Sequence, residues 1–368
     1  MEITRGILIL IMILIAFSMI FPLNTASKTV NTVVVTIEAE NDSTKEELHS
    51  SLSILIERIH KISPQSRIEG EISDKRIILT IMGIDDNKTE LLEELMQKKG
   101  EMYIEFQGEI IATNSDIVRV LNPVLKESSG GWMWQLPFRI SEDAAQRFAD
   151  AVKGKAGYPV DIFVDPPENC LIITNPELYR MISSSDFNAM ASDSLSLLGR
   201  IQKAFKVTVV SFPPENESGI IALAERSKKV VLVGVNGNLE KKLRMKGIAV
   251  VSFNELNENP AQLINRALGL YGPYSLGEGL TMGRPVTDMM ITGSTPTREE
   301  ALKEGIILYA MLSSKPLPVQ LKIVSIEHTT TTSSFSPTLK APNGKRICGV
   351  GSLMLISMLL LVILRRGH

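Results

Sequence analysis

The chain has 368 residues, with 39 Lys+Arg against 41 Asp+Glu and a formal net charge of −2. This near-even balance excludes a nucleic-acid binder, which needs a clustered positive surplus to follow phosphates. Its 5% aromatic residues leave little for stacking bases or sugars, while two cysteines and four scattered histidines set up no disulfide framework and no metal site.

Residues Ile7–Phe21 carry no charge, and Pro22 and Leu23 extend the run to the lower limit for a membrane span. The segment 7–23, with Arg5 before it, reads as an N-terminal transmembrane anchor. A cleaved signal peptide is the alternative, although Asn24-Thr25-Ala26 puts Asn where cleavage wants a small residue.

A base domain is expected over 29–184. Val33–Ala39 reads as a strand, and Ser43 with Glu46 as the capping box of a helix whose apolar face is Leu48, Leu52, Leu55, Ile56, Ile59 and Ile62. Strands Arg67–Ile72 and Ile77–Met82 follow, then a helix Lys88–Gln97 and a strand Glu101–Phe106. That order, β-α-β-β-α-β, is the ferredoxin-like pattern. Further on, Trp132–Ile140 reads as a strand, Ser141–Lys153 as a helix capped by Ser141, and Val160–Val164 as a strand paired with Leu171–Ile173.

From 185 to 271 the apolar runs Val207–Val210, Val230–Val233 and Ile248–Val251 alternate with helices near Gly219–Ser227 and Leu239–Met245. Such runs suit a parallel sheet covered on both faces, here an inserted α/β head. A glycine-rich link runs from Gly272 to Gly283, and Gly272, Gly277, Gly279 and Gly283 are hinge candidates between base and head. The base resumes over 284–327 with strand Met289–Gly293, helix Thr297–Met311 and strand Pro318–Ile326. A Ser/Thr-rich linker, 328–346, leads to an uncharged segment 347–364 followed by Arg365-Arg366, a C-terminal transmembrane helix with a basic cytoplasmic cap. Two spans put both termini in the cytoplasm and the bulk of the chain outside. Sequons at Asn41, Asn87 and Asn216 agree with that.

No constellation for catalysis emerges. Asp85-Asp86 and Asp165 with Glu168 lie at turns, where their side chains favour the backbone geometry. Gly234-Val235-Asn236-Gly237-Asn238 lacks a phosphate-loop fingerprint and reads as a plain strand–helix connection. Trp132 and Trp134 alternate on one strand and so share a face. They are either core or an apolar strip for an unfolded client segment.

Three groups of segments together resemble the SecD subunit of the protein-export machinery. The first is Thr32–Ile62, with its Arg-Ile helix, followed by Arg76–Ile84. The second is Gly130-Gly131-Trp132 leading to Leu136–Ala145 and Phe148-Ala149. The third is Ile291-Thr292-Gly293, Thr297–Ala301 and Leu317-Pro318-Val319. The resemblance implies an archaeal-type head and an accessory of protein export whose external domain engages translocating polypeptide without covalent chemistry or cofactor. It implies a SecF-like subunit and the translocon channel as partners, at the cell membrane. Departures accompany it: Ser314-Lys315-Pro316 stands where the family has Gly, and neither apolar segment carries a residue able to relay a proton. The alternative is a membrane-tethered extracytoplasmic binding or scaffold module.

The expected architecture is therefore an α+β external region, with a ferredoxin-like base and an inserted α/β head, flanked by two transmembrane helices.

Overall fold

A computed structural model describes residues 28–40, 42–85, 88–128, 130–184, 193–212, 217–227, 229–254 and 259–333, the side chains of 28–30 and 331–333 apart. Both apolar segments, the asparagines of the three sequons, Asp86 and Cys348 lie outside the described residues, within which no helix is long and apolar enough to cross a membrane. By its contacts the chain divides into two units, 1–33 with 328–368, and 34–327. In the first, the Thr329 hydroxyl donates to the Thr32 carbonyl at 3.4 Å. The second holds Trp132, Trp134 and the glycine-rich link.

Chain order begins β1 (Lys28–Ala39), α1 (Lys45–Ile62), β2 (Arg67–Ser73), β3 (Arg76–Met82) and α2 (Thr89–Gln97). Next come β4 (Met102–Phe106), β5 (Glu109–Thr113), β6 (Ile117–Val120), β7 (Val124–Ser128), β8 (Gly131–Ile140), α3 (Glu142–Val152) and β9 (Pro159–Val164). The middle comprises β10 (Leu171–Thr174), α4 (Pro176–Ser183), α5 (Leu197–Phe205), β11 (Thr208–Ser211), α6 (Glu217–Ser227), β12 (Lys229–Val233), α7 (Gly237–Met245), β13 (Ala249–Phe253) and α8 (Pro260–Leu268). The last described elements are β14 (Leu270–Ser275), β15 (Asp288–Thr295), α9 (Arg298–Leu312) and β16 (Leu321–Ser333). The fold is mixed α/β.

Helix α1 opens one residue later than expected. Thr44, not Ser43, accepts from the Glu47 amide at 3.2 Å, and the Glu47 carboxylate accepts from the Thr44 amide at 2.8 Å. Ser43–Glu46 and Thr44–Glu47 share the same hydroxyl-to-acid spacing, so spacing alone does not choose between them, and the box closes on the second. The expected cap at Ser141 is found where the sequence puts it, and Thr297, expected as the first residue of a helix, caps α9.

Strand membership departs further from expectation. The first sheet runs β16-β1-β3-β2, so the place beside β1 belongs to the final strand. Strand β4, expected there, lies instead in β14-β9-β4-β5, paired antiparallel with β9 through Ile104↔Ile162 and Glu105↔Asp161. A strand's own pattern sets which face is buried but not which neighbour it finds. Likewise Leu171–Ile173 does not pair with β9. It sits inside an all-parallel sheet, β11-β10-β12-β13, with Leu171 opposite both Thr208 and Val230.

That parallel sheet explains the uninterrupted apolar runs. Alternate residues enter two cores: Ile172, Val209, Val231 and Val233 face Leu178, Ile201, Phe205 and Leu263 on one side. Leu171, Ile173, Val230, Leu232 and Val250 face Ile220, Ala224, Leu239 and Leu243 on the other. The first core also takes in Phe163 of β9 and Leu270 of β14, so the parallel sheet and its antiparallel neighbour share buried apolar surface.

Candidate functional site

The two tryptophans start from one strand and end in different surroundings. Alternation along β8 buries Trp134, Leu136, Phe138 and Ile140. Strand β15 pairs antiparallel to it with Gly293 opposite Trp134, and α9 crosses above. A Cβ at Gly293 would meet the indole Cζ2 at 2.4 Å, and one at Gly305 of α9 would approach the Trp134 Cβ to 3.6 Å. The Gly in the Thr292-Gly293 pair is thus the space that Trp134 occupies. Tyr271 meets the indole edge-on, centroids 5.8 Å apart, and the indole N–H donates to Glu304 Oε2 at 2.8 Å. Burial pushes the Glu304 carboxyl above the usual carboxylate range, and the indole hydrogen bond pulls the other way.

Trp134 is therefore a core residue, 0% exposed, with no surface for a client chain. Trp132, at the open end of the same strand, is half-buried, and the Arg298 guanidinium lies 5.7 Å from its ring centroid.

The glycine-rich link is more ordered than its composition suggests. Gly272 falls inside β14, which pairs with β9 across an irregularity between Tyr271 and Tyr274. The Tyr274 hydroxyl accepts from the Thr292 amide at 2.9 Å and donates to the Thr292 carbonyl at 3.0 Å. Gly277 caps a short 3-10 turn that contains Gly279, and Gly283, at φ +74°, stands against the Lys153 side chain. The Gly157 amide donates to the Leu276 carbonyl at 2.8 Å, and the Leu276 amide to the Tyr158 carbonyl at 3.0 Å. Glycine content marks the freedom of the unfolded chain, and in the folded one these partners hold parts of the link.

Of the acids weighed at turns, Asp165 has structural work. Asp165, at φ +52°, accepts from the Gly100 and Glu101 amides at 2.9 and 2.7 Å, which offsets the upward push of burial on its carboxyl. Cys170 is buried with a free thiol, and desolvation raises its pKa to about 11, far from a reactive thiolate. No group of three or more metal-ligating side chains stands together among the described residues.

Two buried arginines lie outside the sequence expectations. Arg58, in the Arg-Ile helix, is 0% exposed. Its guanidinium donates to the carbonyls of Lys98 and Lys99, both at 2.6 Å, of Lys315 at 3.2 Å, and to the Ser314 hydroxyl at 3.0 Å. The departure Ser314-Lys315-Pro316 is therefore an acceptor site for Arg58, and three distant stretches of chain meet at one side chain. Burial lowers the Arg58 pKa to about 10, against the opposing pull of Asp165 and Glu57.

Arg200, on α5, is 1% exposed and faces Asp161 of β9 and Glu105 of β4, each 0% exposed. Its Nε donates to Asp161 Oδ2 at 2.7 Å and stands 3.6 Å from Glu105 Oε2, while Nη1 donates to the Leu195 carbonyl at 2.6 Å. Glu105 Oε1 accepts from the Gly108 amide. Burial first, then the neighbouring Asp161, raises the Glu105 pKa to about 8, and burial also raises that of Asp161 against the pull of Arg200. A trace of this cluster is present in the sequence: an Asp in the middle of Pro-Val-Asp-Ile-Phe-Val, an otherwise apolar strand.

The chain is 30% identical over 353 residues to the protein-export membrane protein SecD of Thermococcus gammatolerans, an alignment covering 90% of this chain and 65% of that one. The chain is SecD-like. The SecD of Methanopyrus kandleri matches at 24% over 220 residues, 60% of this chain and 49% of its own. This SecD-like chain thus spans between about half and two thirds of these relatives' lengths. A crystal structure of SecDF in a super-membrane-facing form aligns with 81% of this chain and 30% of its own, at 10% identity and a TM-score of 0.41. No family model matches the chain.

Proposed function

We propose that the chain is an accessory subunit of the protein-export translocase whose external domain engages translocating polypeptide. The observation that carries this is the alignment of nine-tenths of the chain with a protein-export membrane protein. On this reading the segments 7–23 and 347–364 anchor the protein in the cell membrane, and a SecF-like subunit and the translocon channel are its partners. The sheet β16-β1-β3-β2 with α1 and α9 is the ferredoxin-like base, closed by its last strand after a long insertion. The parallel sheet is the head, and any hinge lies in 272–283. No covalent chemistry is assigned.

Among the tryptophans, client contact falls to Trp132, whose ring is partly open and lies beside the Arg298 cation. A photo-crosslinking residue at 132, in cells exporting a tagged precursor, should give an adduct with that precursor. The same residue at 134 should give none. A pull-down of the tagged full-length chain should also recover the translocon channel. Recovery of neither channel nor precursor sinks the export reading. An adduct at 134 that matches the one at 132 sinks the assignment of the surface.

A further inference from the structure

We infer that Glu105, Asp161 and Arg200 form a proton-dependent catch that fastens α5, a helix of the parallel-sheet region, onto the antiparallel strands β4 and β9. The charges demand it. Two carboxyls and one guanidinium share a buried site, so with both acids ionised a net negative charge would be left out of water at large cost. Glu105 and Asp161 are direct cross-strand partners, with both side chains on the face that α5 covers. As carboxylates both only accept, and Glu105 Oε2 and Asp161 Oδ1 find no donor among the described residues. A proton on Glu105 supplies one. It satisfies both oxygens at once and leaves Asp161 as the single anion against Arg200.

Among the described residues, no second cation faces the two acids. From α5 the facing charges are Arg200 and, at the rim, Lys203, whose Nζ is held by Glu109 Oε1 of β5 and the Gln107 carbonyl, both at 3.1 Å. From β4 and β9 the facing groups are Glu105 and Asp161 themselves. The apolar side chains of α5 pack beside them: Leu197, Ile201 and Phe205 enter the shared core, and Phe205 meets Phe163 and Tyr103 edge-on.

Where the proton is held sets the direction of the pH dependence. Closed, the site keeps a proton on Glu105 that an opened, hydrated site gives up near the ordinary carboxylate pKa of 4.5. The catch is therefore at full strength below that value and weakens as pH rises toward about 8, the closed-state value. It stands independently of whether the chain engages a polypeptide.

Hydrogen exchange at the α5 amides of the full-length chain tests this, after correction for the intrinsic pH dependence of exchange. In wild type the opening constant should rise with pH, approaching tenfold per pH unit between the two values. Glu105→Gln keeps a neutral side chain whose amide donates to Asp161, and should flatten the profile. Asp161→Asn leaves the Glu105 carboxyl without its acidic neighbour beside Arg200, and should move the titration to lower pH. Infrared spectra near neutral pH should hold a protonated-carboxyl band that Glu105→Gln removes. A flat wild-type profile, a slope that survives Glu105→Gln, or no such band overturns the catch.

Discussion

Arg58 and Arg200 are buried to the same degree, at 0% and 1% exposure, yet they are neutralised in opposite ways. Around Arg58 the partners are backbone carbonyls and one hydroxyl, oxygens that hold no proton in any ordinary pH range. Around Arg200 they are two carboxyls that contend for a proton. One arginine is a fixed staple between α1, the segment that joins α2 to β4 and the segment after α9. The other is a staple whose strength depends on solution conditions. Burial of a cation is thus compatible with permanence or with adjustability, and the partner chemistry decides between them.

The sharpest way to break this contrast is to remove each cation. Arg200→Met leaves both acids buried without compensation and should cost about 3–5 kcal/mol near pH 8, read by urea denaturation. The cost should shrink as pH falls, because protonation neutralises the orphaned acids. Arg58→Met strands carbonyls instead, for about 2–4 kcal/mol, and that cost should be nearly flat over the same range. Parallel pH profiles for the two variants would erase the distinction.

Smaller changes sharpen it. Gly100 sits at φ +79°, and a Cβ there would fall 2.5 Å from Arg58 Nη2. Gly100→Ala should cost about 1–3 kcal/mol in the same denaturation series, from backbone strain and displacement of the staple. Indifference to that methyl group would mean the guanidinium is not held where it is drawn. Smallest of all is Lys203→Ala, which removes an exposed ion pair with Glu109 and should shift stability by less than about 1 kcal/mol. A loss as large as that of Arg200→Met would move the fastening of α5 from the buried acids to its rim.

Much of the local structure is legible from residue pattern. Helices α1, α3 and α9 announce themselves by apolar spacing and by a hydroxyl at the cap, and β8 by strict alternation. The parallel sheet is visible as three apolar runs, but its fourth strand is not. Leu171–Thr174 has only four residues and lies just beyond β9, an apparent hairpin partner. Strand β4 reads as closing the first sheet because its local sequence suits either neighbour. Its true partner β9 lies more than fifty residues away, and β16, the strand that takes its place beside β1, lies at the far end of the described chain.

Strand β16 also runs to Ser333, into what composition marks as linker. Threonines that cannot build a core can still extend a strand. The candidate site is less legible. Both tryptophans stand out in the sequence, but only tertiary packing separates the buried one from the half-open one. Arg200 hides on a helix whose other marks, Leu197, Ile201 and Phe205, are those of an ordinary apolar face.

The Tyr274 hydroxyl has a consequence for what this protein does not do. Among the described residues β15 ends its sheet, and the outer row of backbone groups on such a strand is a template for any extended chain that drifts near. At Thr292 one phenol occupies both the donor and the acceptor. An incoming segment would meet an occupied rung there. Tyr274→Phe would unblock that rung with almost no change in shape, and any gain in self-association on heating would measure how much protection a single hydroxyl provides.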